Sequence, residues 1–138
     1  MLVLDTDHLS EMERNSPLGS ALTDRLHRAD DEIVTTIVSA EELLRGWLSQ
    51  LNRVRSVHKH VAYYEHLAHR LAFCARWHLL PWDSDAAALF DNLRRQGIRG
   101  GTMDLKIACI TITNSATLLS RNLKDFRKIP GLIVEEWL

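Results

Sequence analysis

Apolar and polar positions change rhythm along the chain, and each change marks an element. Leu2, Val3 and Leu4 form a short apolar run that stops at two carboxylates, Asp5 and Asp7. This pattern predicts a buried strand ending in an acidic turn. Helical spacing follows over Thr6 to Arg14, halts near Ser16-Pro17, and resumes from Leu18 to Ala29 with Leu18, Ala21, Leu22 and Leu26 on one face. Glu32 to Thr36 is short and β-branched, a second strand. Ser39, with Glu42 three residues on, has the spacing of a capping box and predicts the start of the next helix. Its core stripe would be Ala40, Leu43, Leu44, Trp47, Leu48 and Leu51.

A long helical stretch is expected from about Arg53 to Trp77, then a strand over Leu79 to Trp82, with Asp83 or Ser84 capping a helix over Asp85 to Gln96. After the turn "GIRGG", the segment "TMDLKIACITI" is apolar almost all round and reads as a central helix. Ala116 to Ser120 is a further strand, Asn122 to Lys128 a turn or short helix, and Leu132 to Glu135 the last strand. Strands alternating with helices predict an α/β fold: a three-layer sandwich, its central and mainly parallel sheet covered by helices on both faces. Neither repeat nor linker divides the chain, so residues 1–138 are expected to form a single domain.

Composition narrows the class without naming a function. Hydrophobic residues make up 46% and charged residues 25% of the 138, with a net charge of -1, which excludes a uniformly basic nucleic-acid binder but not a local basic rim. Arg53, Arg55, Lys59, Arg94, Arg95, Arg99, Arg121, Lys124, Arg127 and Lys128 could supply one, although such clusters are more often solvated helix faces than phosphate contacts. No apolar run is long enough to span a bilayer, and no basic segment precedes the first apolar residues, so neither a membrane segment nor a signal peptide is expected. Cys74 and Cys109 lie in apolar helical contexts as reduced thiols, which suits a cytoplasmic protein.

The candidate chemistry lies in the acids. In open α/β sheets, ligands bind beyond the carboxyl ends of the strands. Asp5 closes the first strand, Glu41 and Glu42 open the helix after the second, Asp104 opens the central helix, and Asp125 follows the strand ending at Ser120. Helix capping accounts for any one of them. Several anions at one edge, however, raise each other's pKa unless a cation neutralises them, and the simplest is a hard divalent ion, Mg²⁺ or Mn²⁺. Such an ion with a bound water hydrolyses phosphodiesters without a protein nucleophile, and no Ser–His–Asp or Cys–His arrangement is legible. Helical periodicity does not choose between Glu41 and Glu42.

The remaining motifs carry less. His58 and His60 point to different sides of a helix, and His66 with His69 lacks a third ligand for zinc. His8 is expected on a helix surface. Trp47, Trp77 and Trp82 continue apolar stripes and read as core rather than base-stacking residues, while the exposure of Trp137 stays open.

Together "LVLDTDHLS", "VSAEELLRG", "GGTMDLKIACIT" and "LLSRNLKDFRKIPGLIVEEW" resemble the PIN-domain ribonucleases, specifically the VapC-like toxins of bacterial toxin–antitoxin pairs. The likeness runs end to end. It implies metal ligands at Asp5, Glu42 (through E-L-x-x-G, hence not Glu41) and Asp104, with Asp7 and the Ser120 hydroxyl in support. The family's fourth acid falls on Asn122 here, a poorer charge donor, with Asp125 the nearest carboxylate. It further implies Mg²⁺-dependent cleavage of RNA, often structured RNA such as tRNA, contacts to substrate from Arg121, Lys124 and Arg99, a homodimer, and a small antitoxin that blocks the site. Two other readings compete. A hydrophobic strand followed by D-x-D also resembles the haloacid-dehalogenase-like phosphatases, with Asp5 as nucleophile, although Leu9 stands where that family expects Thr or Val. The other is a catalytically silent PIN-like binding module.

Overall fold

Leu2, Val3 and Leu4 form β1 (Leu2–Leu4), and all three are buried because β1 is the middle strand of the sheet. The computed structural model describes residues 1–138. β2 (Ile33–Thr36) and β4 (Thr117–Leu119) flank β1, with Val3 level with Val34 on one side and Leu118 on the other. β3 (Leu79–Leu80) and β5 (Ile133–Glu135) form the edges, giving the order β3-β2-β1-β4-β5. Every pairing is parallel, so each crossover must carry a helix over a face of the sheet.

Alternation along β1 sorts those helices into two layers. Val3 points to one face, where it packs with Val34 and Leu118 under α5 (Ser84–Arg95) and α6 (Thr102–Thr113). Leu2 and Leu4 point to the other, against α1 (Thr6–Glu13), α2 (Pro17–Arg28), α3 (Ile37–Arg53) and α4 (Val57–Cys74). The three-layer sandwich expected from the sequence is present, and its sheet is wholly parallel. As expected, α6 is central: Leu105 and Ile107 to Thr111 are all buried. Cys74 and Cys109 are free and buried, and no helix is long and apolar enough to cross a membrane.

Three expectations need correction. The helix after β2 does not start at Ser39. Thr36, the last residue of β2, is its N-cap and accepts from the Ser39 backbone N–H at 2.9 Å, so strand and helix join without a loop and Glu42 is released from capping. The next helical stretch, expected from about Arg53 to Trp77, is shorter: α3 itself runs on to Arg53, residues 54–56 are not helical, and α4 spans Val57–Cys74. Finally, Leu48 is not core: it is 41% exposed, on the lip of an apolar cleft of about 1170 Å³ that also takes in Ile37, Leu44, Leu71 and Trp82.

Candidate active site

Strand order reverses direction across the sheet between β1 and β4, since β2 and β3 lie on one side of β1 and β4 and β5 on the other. A parallel sheet opens a crevice at such a point, at the carboxyl ends of the two strands. Asp5 and Ser120 are the residues that follow β1 and β4, so topology alone puts them there. The Asp5 N–H donates to the Leu119 carbonyl at 3.0 Å, and the Ser120 N–H to the Glu135 carbonyl at 2.9 Å. Their backbones are thereby fixed by the sheet itself.

Both oxygens of Asp5 have donors. Oδ1 accepts from the Thr6 N–H at 2.7 Å, the N-cap bond of α1, and Oδ2 accepts from the Ser120 hydroxyl at 2.5 Å. Only 6% of Asp5 is exposed. That burial pushes its pKa from 3.8 up to about 6; the Ser120 and Thr6 donors oppose the rise, and the charges of Asp7 and Asp104 add to it. Ser120 thus holds the Asp5 carboxylate, as the resemblance implies, and its hydroxyl also accepts from the Asn122 N–H at 3.1 Å.

Asn122 carries the chain of contacts onward. Its side-chain amide donates to Asp104 Oδ2 at 3.2 Å, from the N-cap position of the short α7 (Leu123–Phe126). Asp104, in the first turn of α6, has a raised pKa because of burial and then the charge of Asp125, with the Asn122 amide opposing. Asp125 sits at the solvent edge. Its pKa is lowered, chiefly by the hydrogen bond and charge of Lys128, 2.8 Å away. Lys124 contributes to that lowering, and Arg99 shares a small recess with Asp104 and Asp125. Arg121 is exposed and near enough to His8 to affect it.

Glu42 enters from α3. Its Oε2 accepts from the Thr6 hydroxyl at 2.5 Å, whereas Glu41 is exposed and paired with Arg45 one turn along. Asp7 is exposed, and its charge is felt by both Asp5 and Asp104. The candidates therefore join in one line: Glu42, Thr6, Asp5, Ser120, Asn122, Asp104, then Asp125 at the rim. They do not form a preassembled cage, since no three Asp, Glu, His or Cys side chains are grouped closely enough to hold an ion as they stand. Thr6, which touches both Asp5 and Glu42, is absent from the sequence assignment. A threonine after a strand-ending aspartate gives no periodic signal.

His8 corrects another expectation. It is fully buried, not on a helix surface, because the end of the chain folds back over α1 and the Trp137 N–H approaches His8 Nε2 at 3.4 Å. Burial, with help from Arg121, lowers its pKa from 6.5 to about 4. Trp137 is half-buried beneath Arg25, whose guanidinium carbon lies 4.0 Å from the ring centroid.

The PIN-domain family model matches residues 2–132. The chain belongs to the PIN-domain family. This PIN domain is 30% identical to Ribonuclease VapC of Rickettsia bellii over 140 residues, covering 96% of this chain and 93% of that one. A shorter match, 33% identical over 69 residues, links it to Ribonuclease VapC2 of Rickettsia felis and spans about half the length of that relative, 52%. Among solved structures, VapBC-1 from nontypeable Haemophilus influenzae superposes with a TM-score of 0.73 at 20% identity, covering 99% of this chain and 97% of that one, which shows a shared fold. Membership of the PIN-domain family removes the haloacid-dehalogenase-like alternative.

Proposed function

We propose that this PIN domain is a divalent-metal-dependent endoribonuclease, using Mg²⁺ with Mn²⁺ as a substitute, and the toxin of a toxin–antitoxin pair. One observation carries the reading. Asp5, Glu42 and Asp104 gather at the carboxyl edge of the sheet, and none has a protein cation within salt-bridge distance. A buried carboxylate pushed up to about 6 by burial and neighbouring anions is a site short of positive charge. The donors are all hard oxygens, with neither Cys nor neutral His among them, and so fit Mg²⁺ or Mn²⁺ in charge and in donor type. Asp5, Glu42 and Asp104 would hold the ion, with Asp125 or the Asn122 carbonyl oxygen completing the fourth position. When bound, the ion supplies Lewis acidity at a phosphate oxygen and an acidified water.

The chain's own groups do the rest. Ser120 and Thr6 hold Asp5, each leaving lone pairs on the oxygen it contacts. Arg121, Lys124 and Arg99 flank the acids on both sides and offer phosphate contacts to a structured RNA such as tRNA. Names of relatives support ribonuclease activity, and a structural neighbour, a toxin–antitoxin complex from Klebsiella pneumoniae, supports an antitoxin as partner. A homodimer and a cytoplasmic location complete the proposal, the latter in keeping with two free cysteines.

The deciding experiment is cleavage of structured RNA by purified protein with and without chelator, beside Asp104→Asn. EDTA and Asp104→Asn should each abolish cleavage while the circular dichroism stays folded. Cleavage that survives both would end the metal-nuclease reading; a cellular effect that survives Asp104→Asn would favour the silent binding module. Asn122→Asp gives a second check. It removes the donor to Asp104 and adds a charge between Asp104 and Asp125, so Mn²⁺ affinity should rise and the metal-free protein should melt earlier. Unchanged or weaker Mn²⁺ binding, measured calorimetrically, would count against Asn122 standing at the metal position.

A further inference from the structure

We infer that Thr6 is a positioning residue for the metal site: its hydroxyl yokes Glu42 to Asp5. This rests on the metal reading above. It goes beyond that reading, which uses the Thr6 N–H on Asp5 and gives the Thr6 hydroxyl no role.

The geometry is specific. Thr6 is the first residue of α1 and half-buried, with its N–H on Asp5 Oδ1 at 2.7 Å and its Oγ1 at 2.5 Å from Glu42 Oε2. An ionised carboxylate only accepts, so the hydroxyl is the donor, at the short distance of a charge-assisted bond. One residue thereby fixes a carboxylate from β1 relative to one from α3, 36 positions further on.

Nothing else holds Glu42. It has no ion pair, and Arg45, the nearest cation in its helix, is engaged by Glu41. A free glutamate side chain loses substantial rotamer entropy on being ordered by an ion, and that cost falls on metal binding unless the side chain is already held. Threonine suits the task because its branched Cβ leaves few χ1 choices, so the hydroxyl direction is set by the backbone of α1. Ser120 does the corresponding work for Asp5 from β4. The two hydroxyls thus fasten two carboxylates from opposite sides of the strand-order reversal.

The test uses full-length protein and Mn²⁺ alone, titrated calorimetrically, with RNA cleavage against Mn²⁺ concentration in parallel. Thr6→Val, which keeps the shape and deletes the donor, should weaken Mn²⁺ binding by about tenfold, the low end for loss of a group that orients a metal ligand. Thr6→Ser should restore binding to within about threefold of wild type, which shows that the hydroxyl and not the fold was lost. Cleavage by Thr6→Val should recover towards wild type as Mn²⁺ is raised. Combining Thr6→Val with Glu42→Gln should bind no more weakly than Glu42→Gln alone, because the hydroxyl acts through that carboxylate. Wild-type affinity in Thr6→Val, or losses that multiply in the double variant, would overturn the inference. If Asp104→Asn also binds Mn²⁺ as wild type does, the metal reading itself has failed; if only Thr6→Val does, the role of Thr6 alone has failed.

Discussion

Asp5→Asn should reduce RNA cleavage by about a thousandfold or more while raising the melting temperature of the metal-free protein. The opposite signs have one cause. Asp5 is kept charged at neutral pH in a place that disfavours the charge, and its pKa is pushed from 3.8 to about 6 by burial and by Asp7 and Asp104. A rise of about two units corresponds to roughly 3 kcal/mol of lost folding stability above pH 6. Asparagine removes the charge but accepts through one oxygen only, so either the Ser120 or the Thr6 bond weakens, and the net gain should be about 1–2 kcal/mol. For a chain of this size that is a rise of roughly 3–6 °C.

The pH profile distinguishes this cause from a packing effect. Between pH 3.8 and about 6 the folded protein holds a proton on Asp5 that the unfolded chain has released, so this group's contribution falls as pH rises. His8 works in the other direction. Its pKa drops from 6.5 to about 4 on folding, so the unfolded chain protonates first and stability increases with pH across that window. In the wild type the two slopes largely offset between about pH 4 and 6. Asp5→Asn should expose the His8 slope, giving a metal-free protein that gains stability from pH 4 to 6.5. Denaturant unfolding at several pH values measures it. A flat profile, or a lower melting temperature at pH 7, would contradict the assignment.

Gly19→Ala should destabilise the fold by about 2–4 kcal/mol, although alanine is the better helix former by about 1 kcal/mol. Gly19 lies in the first turn of α2, where its N–H donates to the Ser16 hydroxyl at 2.9 Å. A Cβ placed there would meet the Glu11 carbonyl oxygen at 2.1 Å and its carbon at 2.6 Å. Those are backbone atoms of α1, so no rotamer change relieves the clash and the two helices must separate. Because α1 carries Asp5 as its cap and Thr6 as its first residue, metal binding should weaken along with stability. Equal or greater stability for Gly19→Ala in denaturant unfolding would show that the α1–α2 corner yields freely.

The placement of Asp5 and Asp104 at one edge of the sheet is legible from the sequence because it depends on local signals. Asp5 follows an apolar strand, Asp104 opens an all-apolar helix, and a parallel sheet brings such positions to one edge. Glu42 was not legible in that way: Glu41 and Glu42 differ by one helical step, and what separates them is the Thr6 hydroxyl 36 residues earlier against Arg45 one turn later. The early cap at Thr36 was hidden by its neighbour. Two hydroxyl residues, Thr36 and Ser39, stand three apart, and the one that ends the strand also starts the helix. The burial of His8 has no local signal, because its cover comes from Trp137, a contact 129 positions away that no window of sequence contains. Leu48 continues an apolar stripe faithfully, but the interruption at residues 54–56 and the path of α4 leave it at the lip of a cleft.

The central strand is made well before its partner β4, which lies 115 positions downstream, counted from Leu4 to Leu119. Loop closure on that scale is slow, and a growing polypeptide cannot form the pairing before residue 119 has been added. Ser120 and Asn122, which link Asp5 to Asp104, come later still. While residues 5–119 are being added, these acids therefore stay scattered along a growing polypeptide, and the edge that gathers them exists only once Ser120 and Asn122 have followed.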